Sequence, residues 1–298
     1  MNQMLRGQGL LEAQNLHNGC SSPPDILNLL RLSQVDANLN AQFNQAFEIC
    51  EFQLGARLDE YYESSPSGNS VHSKQDRPNN RWLYVVCQGR VRLLGVDPTQ
   101  KRDVSVLVLE SGETFGADDL LGNFSEPVPA LSLARPKAIA HSAAPKAIAA
   151  SAGFVARISV QQLQPWLERL PELDQCLRQQ AILRQGLTFF KTSTDLRQLT
   201  SHQLRQVFPY LIETRIEQGE SLAELTSSHP GRFWLCSGQI HTQQNADNLP
   251  VVGQSWGYPD PIPTDWIAQT DVVVYQLPLE HWEAAQAIAP SLTLSFSE

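Results

Sequence analysis

A short stretch of the sequence occurs twice, first as Cys87-Gln88-Gly89-Arg90-Val91 and again as Cys236-Ser237-Gly238-Gln239-Ile240. In each copy an apolar run rich in β-branched and aromatic residues leads into a glycine, and a second apolar run follows it. This is the pattern of two strands joined by a tight turn. Because the pattern is present in both halves, it predicts a β-hairpin at an equivalent position in each half of the chain.

Three further pairs of blocks extend this repeat along the chain. They keep the same order in both copies, and their separations are shorter in the second copy, as expected when only loops are trimmed. The matched blocks are Gly55-Ala56-Arg57-Leu58 with Gly219-Glu220-Ser221-Leu222, Phe115-Gly116 with Trp256-Gly257, and residues 158–163 with 277–282. We therefore interpret the chain as two copies of one β-rich unit.

Helical spacing replaces the strand pattern after the first set of predicted strands. Leucines recur at helical intervals between residues 163 and 170, and an amphipathic helix is predicted from Leu173 to Leu187 with Arg184 on its polar side. Gly186 disfavours the helix and predicts a break between residues 186 and 190. The predicted fold class is mainly β with helices (α+β), made of two β-rolls (jelly-roll) that are each flanked by helices.

The length and the repeat together predict two domains. At roughly 100 to 200 residues per domain, the 298 residues divide into a first domain at 41–190 and a second at 191–298, preceded by an N-terminal extension at 1–40. In the extension, Asp25 is placed to cap a short helix from Ile26 to Leu32. The rest mixes Gln, Asn, Leu and Ser, so we expect the extension to be loosely attached.

The charge balance and the cysteines exclude several classes of protein. The chain has 31 acidic and 22 basic residues, so its surface repels phosphate backbones and nucleic acid is not an expected partner. No apolar run approaches the roughly 18 to 20 residues that span a bilayer, and the N-terminus has no signal-peptide core. The five cysteines form no CxxC pair, which suits a reducing compartment. We therefore expect a cytoplasmic chain that does not cross a membrane.

Motifs for catalysis or cofactor binding are absent from the sequence. There is no GxSxG motif, no P-loop of the Walker type, and no histidine pairing such as HxH or HExxH. We therefore predict no catalytic residue, no metal site and no cofactor, and we do not expect this chain to be an enzyme.

The order of the blocks resembles that of the cyclic nucleotide-binding domain, the β-roll of catabolite activator protein and of protein kinase regulatory subunits. A Gly-x-x-Leu block is followed by a strand ending at Gly-x-Val and by Gly-Glu-Thr-Phe-Gly at 112–116. The resemblance covers about 41–190 and, more faintly, 196–298. It implies a pocket with a phosphate-binding cassette, commonly Phe-Gly-Glu followed by Pro-Arg-x-Ala. In the family, backbone N–H groups and the arginine bind the phosphate, and the glutamate accepts from the ribose.

The first copy retains only part of this cassette. Phe115 and Gly116 match, but Ala117 stands at the glutamate position and offers no acceptor. Lys146 stands at the arginine position, and lysine keeps the charge without the planar fork of donors. Asp118 places a negative charge beside the expected phosphate. The resemblance therefore implies a vestigial pocket in which cyclic-nucleotide binding is weakened or lost.

The second copy departs further from the family pattern. The corresponding loop, residues 258–265, contains three prolines, which remove backbone donors that an anion would use. Thr264 and Asp265 stand where the cation is expected, and an acid facing a phosphate repels it. We therefore predict that the second copy does not bind a nucleotide.

Three longer stretches, at 233–240, 253–259 and 263–271, look more specifically like the cytosolic N-terminal region of cyanobacterial peptidase-containing ABC exporters. This resemblance implies a regulatory region of a type I secretion system, whose partners are other exporter domains, the cargo or a second copy of the chain. The aromatic residues of the proline-flanked loop are predicted to form a partner surface. They are Trp256, Tyr258 and Trp266.

Two alternative functions fit parts of the sequence. The first is a working cyclic-nucleotide sensor in the first domain, with the phosphate held by Lys146 or by Arg135, which lies in a duplicate of the Lys146 segment. The second is a transcription regulator of the catabolite-activator type. That reading requires a helix-turn-helix after the first roll, a place that the second copy occupies.

Overall fold

The computed structural model describes residues 24–32, 35–58, 82–117, 145–224, 229–242, 249–290 and 292. Strands of the first copy are β1 (Glu48–Phe52), β2 (Trp82–Gln88), β3 (Val91–Asp97), β4 (Arg102–Leu109), β5 (Thr114–Phe115), β6 (Lys146–Ala149) and β7 (Gly153–Ser159). Strands of the second copy are β8 (Ile212–Ile216), β9 (Gly231–Ser237), β10 (Ile240–Thr242), β11 (Ser255–Gly257), β12 (Trp266–Ala268) and β13 (Val272–Pro278). The flanking helices are α1 (Ile26–Leu29), α2 (Ala37–Gln45), α3 (Val160–Arg169), α4 (Pro171–Ser193), α5 (Ser201–Val207) and α6 (Trp282–Ile288).

Each roll consists of two antiparallel sheets. The first roll has the strand orders β1-β7-β2-β5 and β4-β3-β6, and the second has β8-β13-β9-β11 and β10-β12. The larger sheets therefore have the same order, with β8, β13, β9 and β11 in the places of β1, β7, β2 and β5. In the smaller sheet, β10 and β12 take the places of β3 and β6. Among the residues that the structure describes, the second roll has no counterpart of β4.

Individual residue pairs show that the two rolls are copies of one unit. Phe115 pairs with Tyr84 in the first roll, and Trp256 pairs with Phe233 in the second. Both pairs join the last strand of the larger sheet to its neighbour, at the positions that the sequence repeat aligned. The strand order and these pairs confirm the predicted fold class, an α+β structure of two β-rolls flanked by helices.

Helix α1 is an integral part of the first roll. Ile26 and Leu27 are each 1% exposed, and they share a hydrophobic cluster with Leu83 and Val85 of β2. Burying two such side chains contributes about 1.5 to 3 kcal/mol each. The expectation of a loosely attached extension is therefore wrong for residues 26–32, because their apolar side chains belong to the core.

The cap predicted for this helix is confirmed. Oδ1 of Asp25 accepts a hydrogen bond from the backbone N–H of Asn28 at 3.1 Å. The helix ends at Leu29 rather than at Leu32, and Arg31 follows with a positive φ of 63°.

The structural repeat begins earlier than the matched sequence. Helices α1 and α2 precede β1. In the same way, the last turn of α4 and the whole of α5 precede β8. In both copies the residue before the second helix caps it with a side-chain oxygen, Asp36 for α2 and Thr200 for α5. Helix α1 thus corresponds to the last turn of α4. The domain division at residues 41 and 191 stays a prediction.

Helix α4 runs without interruption from Pro171 to Ser193, so the predicted break near Gly186 is wrong. A Cβ added to Gly186 would lie 2.1 Å from Cε2 of Phe208, which shows that the glycine provides space for this ring. The N-terminal half of α4 buries Leu177 beside the first roll, and the C-terminal half buries Phe190 against the second. One helix therefore supports both rolls.

Substitution of Gly186 by alanine is expected to destabilise the chain by about 1 to 3 kcal/mol. Alanine favours an isolated helix by about 1 kcal/mol over glycine, but the added methyl group displaces the Phe208 ring. Urea denaturation followed by circular dichroism measures the effect, with Gln179→Ala on the exposed face of α4 as the control. In a Phe208→Ala background the same change should become neutral or stabilising. A stabilising effect with Phe208 present would contradict this interpretation.

Candidate functional site

The predicted site of the first roll begins at the end of β5. Phe115 is buried and stacks on Tyr84, with ring centroids 4.7 Å apart. Gly116 and Ala117 follow, and Ala117 is buried with a positive φ of 57°. Asp118 and Arg135 lie outside the described residues. The described part of the cassette is thus a buried turn that carries no side-chain acceptor.

Two polar side chains of α4 hold β5 in place. Nη1 of Arg184 donates to the carbonyl oxygen and the hydroxyl of Thr114 at 2.6 and 2.9 Å. Oε1 of Gln180 accepts from the Thr114 backbone N–H and hydroxyl at 2.9 and 2.8 Å. Arg184, which the sequence placed on the polar side of the helix, is 2% exposed and therefore lies inside the structure rather than in solvent. The spacing of four residues places Gln180 and Arg184 on the same face of the helix, but the sequence did not indicate that both side chains would bind Thr114.

Lys146 lies on the other sheet of the first roll. It pairs with Leu94 at the start of β6, and its Nζ is 2.9 Å from both carboxylate oxygens of Asp103. Ala147 and Ala149 alternate into the core, so Lys146 projects from the opposite face of the strand. The structure therefore pairs the predicted cation with an acid and places it on a different sheet from Phe115, Gly116 and Ala117.

In the second roll, a bulky aromatic side chain takes the position of Ala147. The isolated bridges Arg57–Ile148 and Ser221–Ile267 are equivalent, so Trp266 corresponds to Ala147, and Asp265 corresponds to Lys146. The rings of Trp256 and Trp266 meet edge-on with centroids 6.2 Å apart. Residues 258–265 contain no helix, and the Asp265 carboxylate accepts from the Thr242 hydroxyl. An indole and a carboxylate thus stand where a cassette would need space and a cation.

The three aromatic residues of the predicted partner surface do not share one exposed face. Trp256 is 7% exposed and stacks on Phe233 inside the roll. Tyr258 is 38% exposed, and its ring meets that of Trp282 edge-on at 5.2 Å. Trp266 is half-buried. Of the three, only Tyr258 presents a substantial exposed face.

A polar network joins the second roll to the segment after α4. Asp195 opens a short 3-10 helix, Asp195–Gln198. Its Oδ1 accepts from Nε1 of Trp234 at 2.8 Å, and its Oδ2 accepts from the Ser255 hydroxyl at 3.1 Å. Nη2 of Arg232 donates to Oγ of Ser255 at 2.8 Å. Burial lowers the pKa of Arg232, and the Asp195 carboxylate opposes that shift. The sequence analysis did not find this network, because its members are up to 60 residues apart.

Two other features bear on chemistry. Within the described ranges no group of three His, Cys, Asp or Glu side chains could hold a metal ion, and no helix has the length and apolarity needed to cross a membrane. Cys236 is buried, and burial raises the pKa of its thiol to about 12. This thiol is therefore protonated at neutral pH and behaves as an apolar core group.

No protein-family model and no curated protein sequence matches the chain. Similar solved structures include the regulatory domain of Toxoplasma gondii PKA with cAMP, 12% identical over 91% of this chain and 95% of that one, with a TM-score of 0.32. A CooA mutant from Carboxydothermus hydrogenoformans is 12% identical over 60% of this chain and 91% of its own, with a TM-score of 0.35. A cyclic nucleotide-binding domain from Methylobacillus flagellatus KT is 12% identical over 56% of this chain and 77% of its own, with a TM-score of 0.33. Likeness at this level carries no argument about a ligand, so the fold assignment rests on strand order and register.

Proposed function

We propose that the chain is a non-catalytic regulatory and interaction region in which neither roll uses a cyclic nucleotide. The observation that carries this proposal is the second roll, where Trp266 and Asp265 stand at the positions of Ala147 and Lys146. A phosphate there would meet a negative charge and would have to displace a packed indole, and both effects oppose binding.

The first roll supports the same proposal for a different reason. Lys146 is already paired with Asp103, and both side chains are about 40% exposed. An exposed ion pair of this kind contributes only about 0 to 1 kcal/mol, so it does not by itself block a ligand. However, lysine lacks the bidentate geometry of arginine, and Ala117 supplies no acceptor for a ribose. The contacts that remain are too few to hold a small cyclic anion.

Isothermal titration of cAMP, cGMP and a cyclic dinucleotide into the full chain tests this proposal. We expect no saturable heat up to about 1 mM ligand. Asp103→Ala, which frees Lys146, should not create binding, and Lys146→Ala should behave like the wild type. Saturable heat that is lost in Lys146→Ala would instead establish a cyclic-nucleotide sensor in the first roll. That alternative is favoured by the retained cation and by the contacts of Arg184 and Gln180, which tie the cassette to α4.

We further propose that this region belongs to the cytosolic N-terminal part of an ABC-type peptide or protein exporter. The stretches that look like such exporters form β9, β11, β12 and the loops around them, so they coincide with the altered second roll. Its partners would be other exporter domains, the cargo or a second copy of the chain. Reading the gene beyond the codon for Glu298 tests this context. A peptidase and a membrane domain downstream are expected, and a stop codon at that point would contradict the proposal.

A further inference from the structure

We propose that the cleft between the two repeats binds a small carboxylate that carries a planar apolar body. The cleft has a volume of about 600 Å³ and lies between the turn after β3, the segment after α4 and the strand β11. Its lining includes Arg197, Val252, Gln254, Trp256 and Trp266. This volume is within the range of roughly 300 to 1,000 Å³ that is usual for small-molecule sites, which occur preferentially where domains meet.

The lining holds one buried hydrogen-bond donor with no acceptor within the described part of the chain, and two further donors that face solvent. The Trp256 side chain is 93% buried, and its Nε1–H finds no partner. The guanidinium of Arg197 makes one ion pair, 3.7 Å from Oδ2 of Asp97, which is longer than a hydrogen bond. The Gln254 side chain uses its oxygen to accept from the Val251 N–H at 3.0 Å, and its amide nitrogen is left to donate. Of the three donors only that of Trp256 is buried, since Arg197 and Gln254 are exposed. A buried donor without an acceptor is costly, so a ligand that accepts would be favoured at Trp256.

The Asp195 carboxylate of the lining is already engaged. Both oxygens of Asp195 accept hydrogen bonds from neighbouring side chains. Asp97 is the ion-pair partner of Arg197 but does not line the cleft, and its Oδ1 accepts from the backbone N–H groups of Thr99 and Gln100 at 2.8 and 3.0 Å. A ligand that donates would therefore compete with these bonds, whereas a ligand that accepts would meet unused donors.

The charges around the cleft select a single negative charge. Asp97 lies near Arg197 and Asp195 acts on Arg232, so these four groups carry no net positive charge that would favour a doubly charged phosphate, while a carboxylate can pair with the half-exposed Arg197. The backbone of Arg197 is held in place, because Nζ of the buried Lys191 donates to its carbonyl oxygen at 3.0 Å. The carboxylate would thus meet a guanidinium that extends from an anchored backbone.

The apolar part of the ligand is defined by Trp266 and Val252. Trp266 is half-buried, and Val252 is 52% exposed at the rim. A planar ring placed between them would cover both. Since Nε1 of Trp256 is closed to solvent, a ligand oxygen reaches it only when the side chains around it shift, so we expect binding to move the Trp256 indole.

Titration of indoleacetate into the isotope-labelled full chain, followed through the tryptophan indole N–H resonances, tests the site. The Trp256 resonance, assigned with Trp256→Phe, should shift saturably. Arg197→Gln should weaken binding at least about tenfold, and Gln254→Ala about fivefold. Arg92→Gln, on the exposed face of β3, is the matched control and should bind like the wild type. The amide spectrum of each variant shows whether it is folded.

Two comparison ligands sharpen the result. Indoleacetamide, which lacks the charge, should bind at least about tenfold more weakly, and equal binding would overturn the assignment of a carboxylate. N-acetyl-glycyl-tryptophan presents a carboxylate and an indole at the C-terminus of a peptide. If it binds more tightly than indoleacetate, the natural ligand is a peptide C-terminus, and if it binds more weakly, the ligand is a free small acid. Absence of a saturable Trp256 shift up to about 10 mM indoleacetate, or unchanged affinity in folded Arg197→Gln, would overturn the proposal. These outcomes are independent of cAMP binding, which tests the proposed function alone.

Discussion

Replacement of Gly253 by alanine is expected to destabilise the chain by more than about 3 kcal/mol. Gly253 lies in the turn before β11 with a φ of 92°, and an added Cβ would lie 1.9 Å from the carbonyl oxygen of Ser193. The obstacle is backbone at the end of α4, so no side-chain rotation can relieve it. The second roll would have to move away from α4, which would open the contact that joins the two repeats.

Matched glycines separate the effect of this contact from the effect of backbone conformation. Gly219 has a φ of 91° with no atom within 4 Å of an added Cβ, so Gly219→Ala should cost only about 1 to 2 kcal/mol. In the first roll, Gly112 approaches the carbonyl oxygen of Leu29, with 2.2 Å to an added Cβ, whereas Gly55 is open. Urea denaturation should show that the Gly253→Ala and Gly112→Ala variants are much less stable than the Gly219→Ala and Gly55→Ala variants. Four equal losses of stability would show that the carbonyl contacts do not matter.

Replacement of Asp195 by alanine is expected to cost about 1 to 3 kcal/mol, because it removes the acceptor from a largely buried hydrogen-bond network. Nε1 of Trp234, a residue that is 1% exposed, would lose its acceptor. Arg232, which is 8% exposed, would lose one of the two carboxylates that oppose the effect of its burial, the other being Asp260. Asp195→Asn should be intermediate, since an amide oxygen can still accept from Trp234.

The control for Asp195→Ala is Asp103→Ala, which removes an acid from an exposed ion pair. That pair with Lys146 is about 40% exposed on both sides, so its loss should cost about 0 to 1 kcal/mol. Thermal and urea unfolding of both variants supply the comparison, and the change in Trp234 fluorescence reports on the network itself. Equal, small losses for the two variants would show that the Asp195 network does not stabilise the junction.

The hairpins and the repeat could be predicted from the sequence because their signals are local. A glycine between two apolar runs marks a turn wherever it occurs, and the paired motifs at Gly89 and Gly238 indeed separate β2 from β3 and β9 from β10. The helix cap at Asp25 was predicted from an equally local signal. For the same reason, the fold class followed from the order of these signals.

The start of the repeat could not be predicted, because its two copies share structure without sharing side chains. Leu27 in α1 corresponds in position to Lys191 near the end of α4. Leu27 is buried among apolar residues, whereas Lys191 is buried by donating to the carbonyl oxygens of Arg197 and Leu199. A comparison of hydrophobic positions in the sequence therefore does not reveal that α1 and the last turn of α4 are equivalent.

The candidate site was predictable only as far as residue type determines chemistry. The missing acceptor at Ala117 and the single-point cation at Lys146 are visible in the sequence. The pairing of Lys146 with Asp103, 43 residues away, and the clamp of Arg184 on Thr114, 70 residues away, depend on strand register and helix packing. These contacts arise only from the assembled roll.

Titration of cAMP into the isotope-labelled full chain, with the backbone amides of Gly116, Ala117 and Gly257 followed one by one, reports on both rolls at once. If neither roll holds a cyclic nucleotide, none of these amides shifts saturably up to about 5 mM cAMP. A saturable shift at Gly116 and Ala117 with a Kd below about 100 µM would contradict the claim for the first roll. The same shift at Gly257 would contradict it for the second.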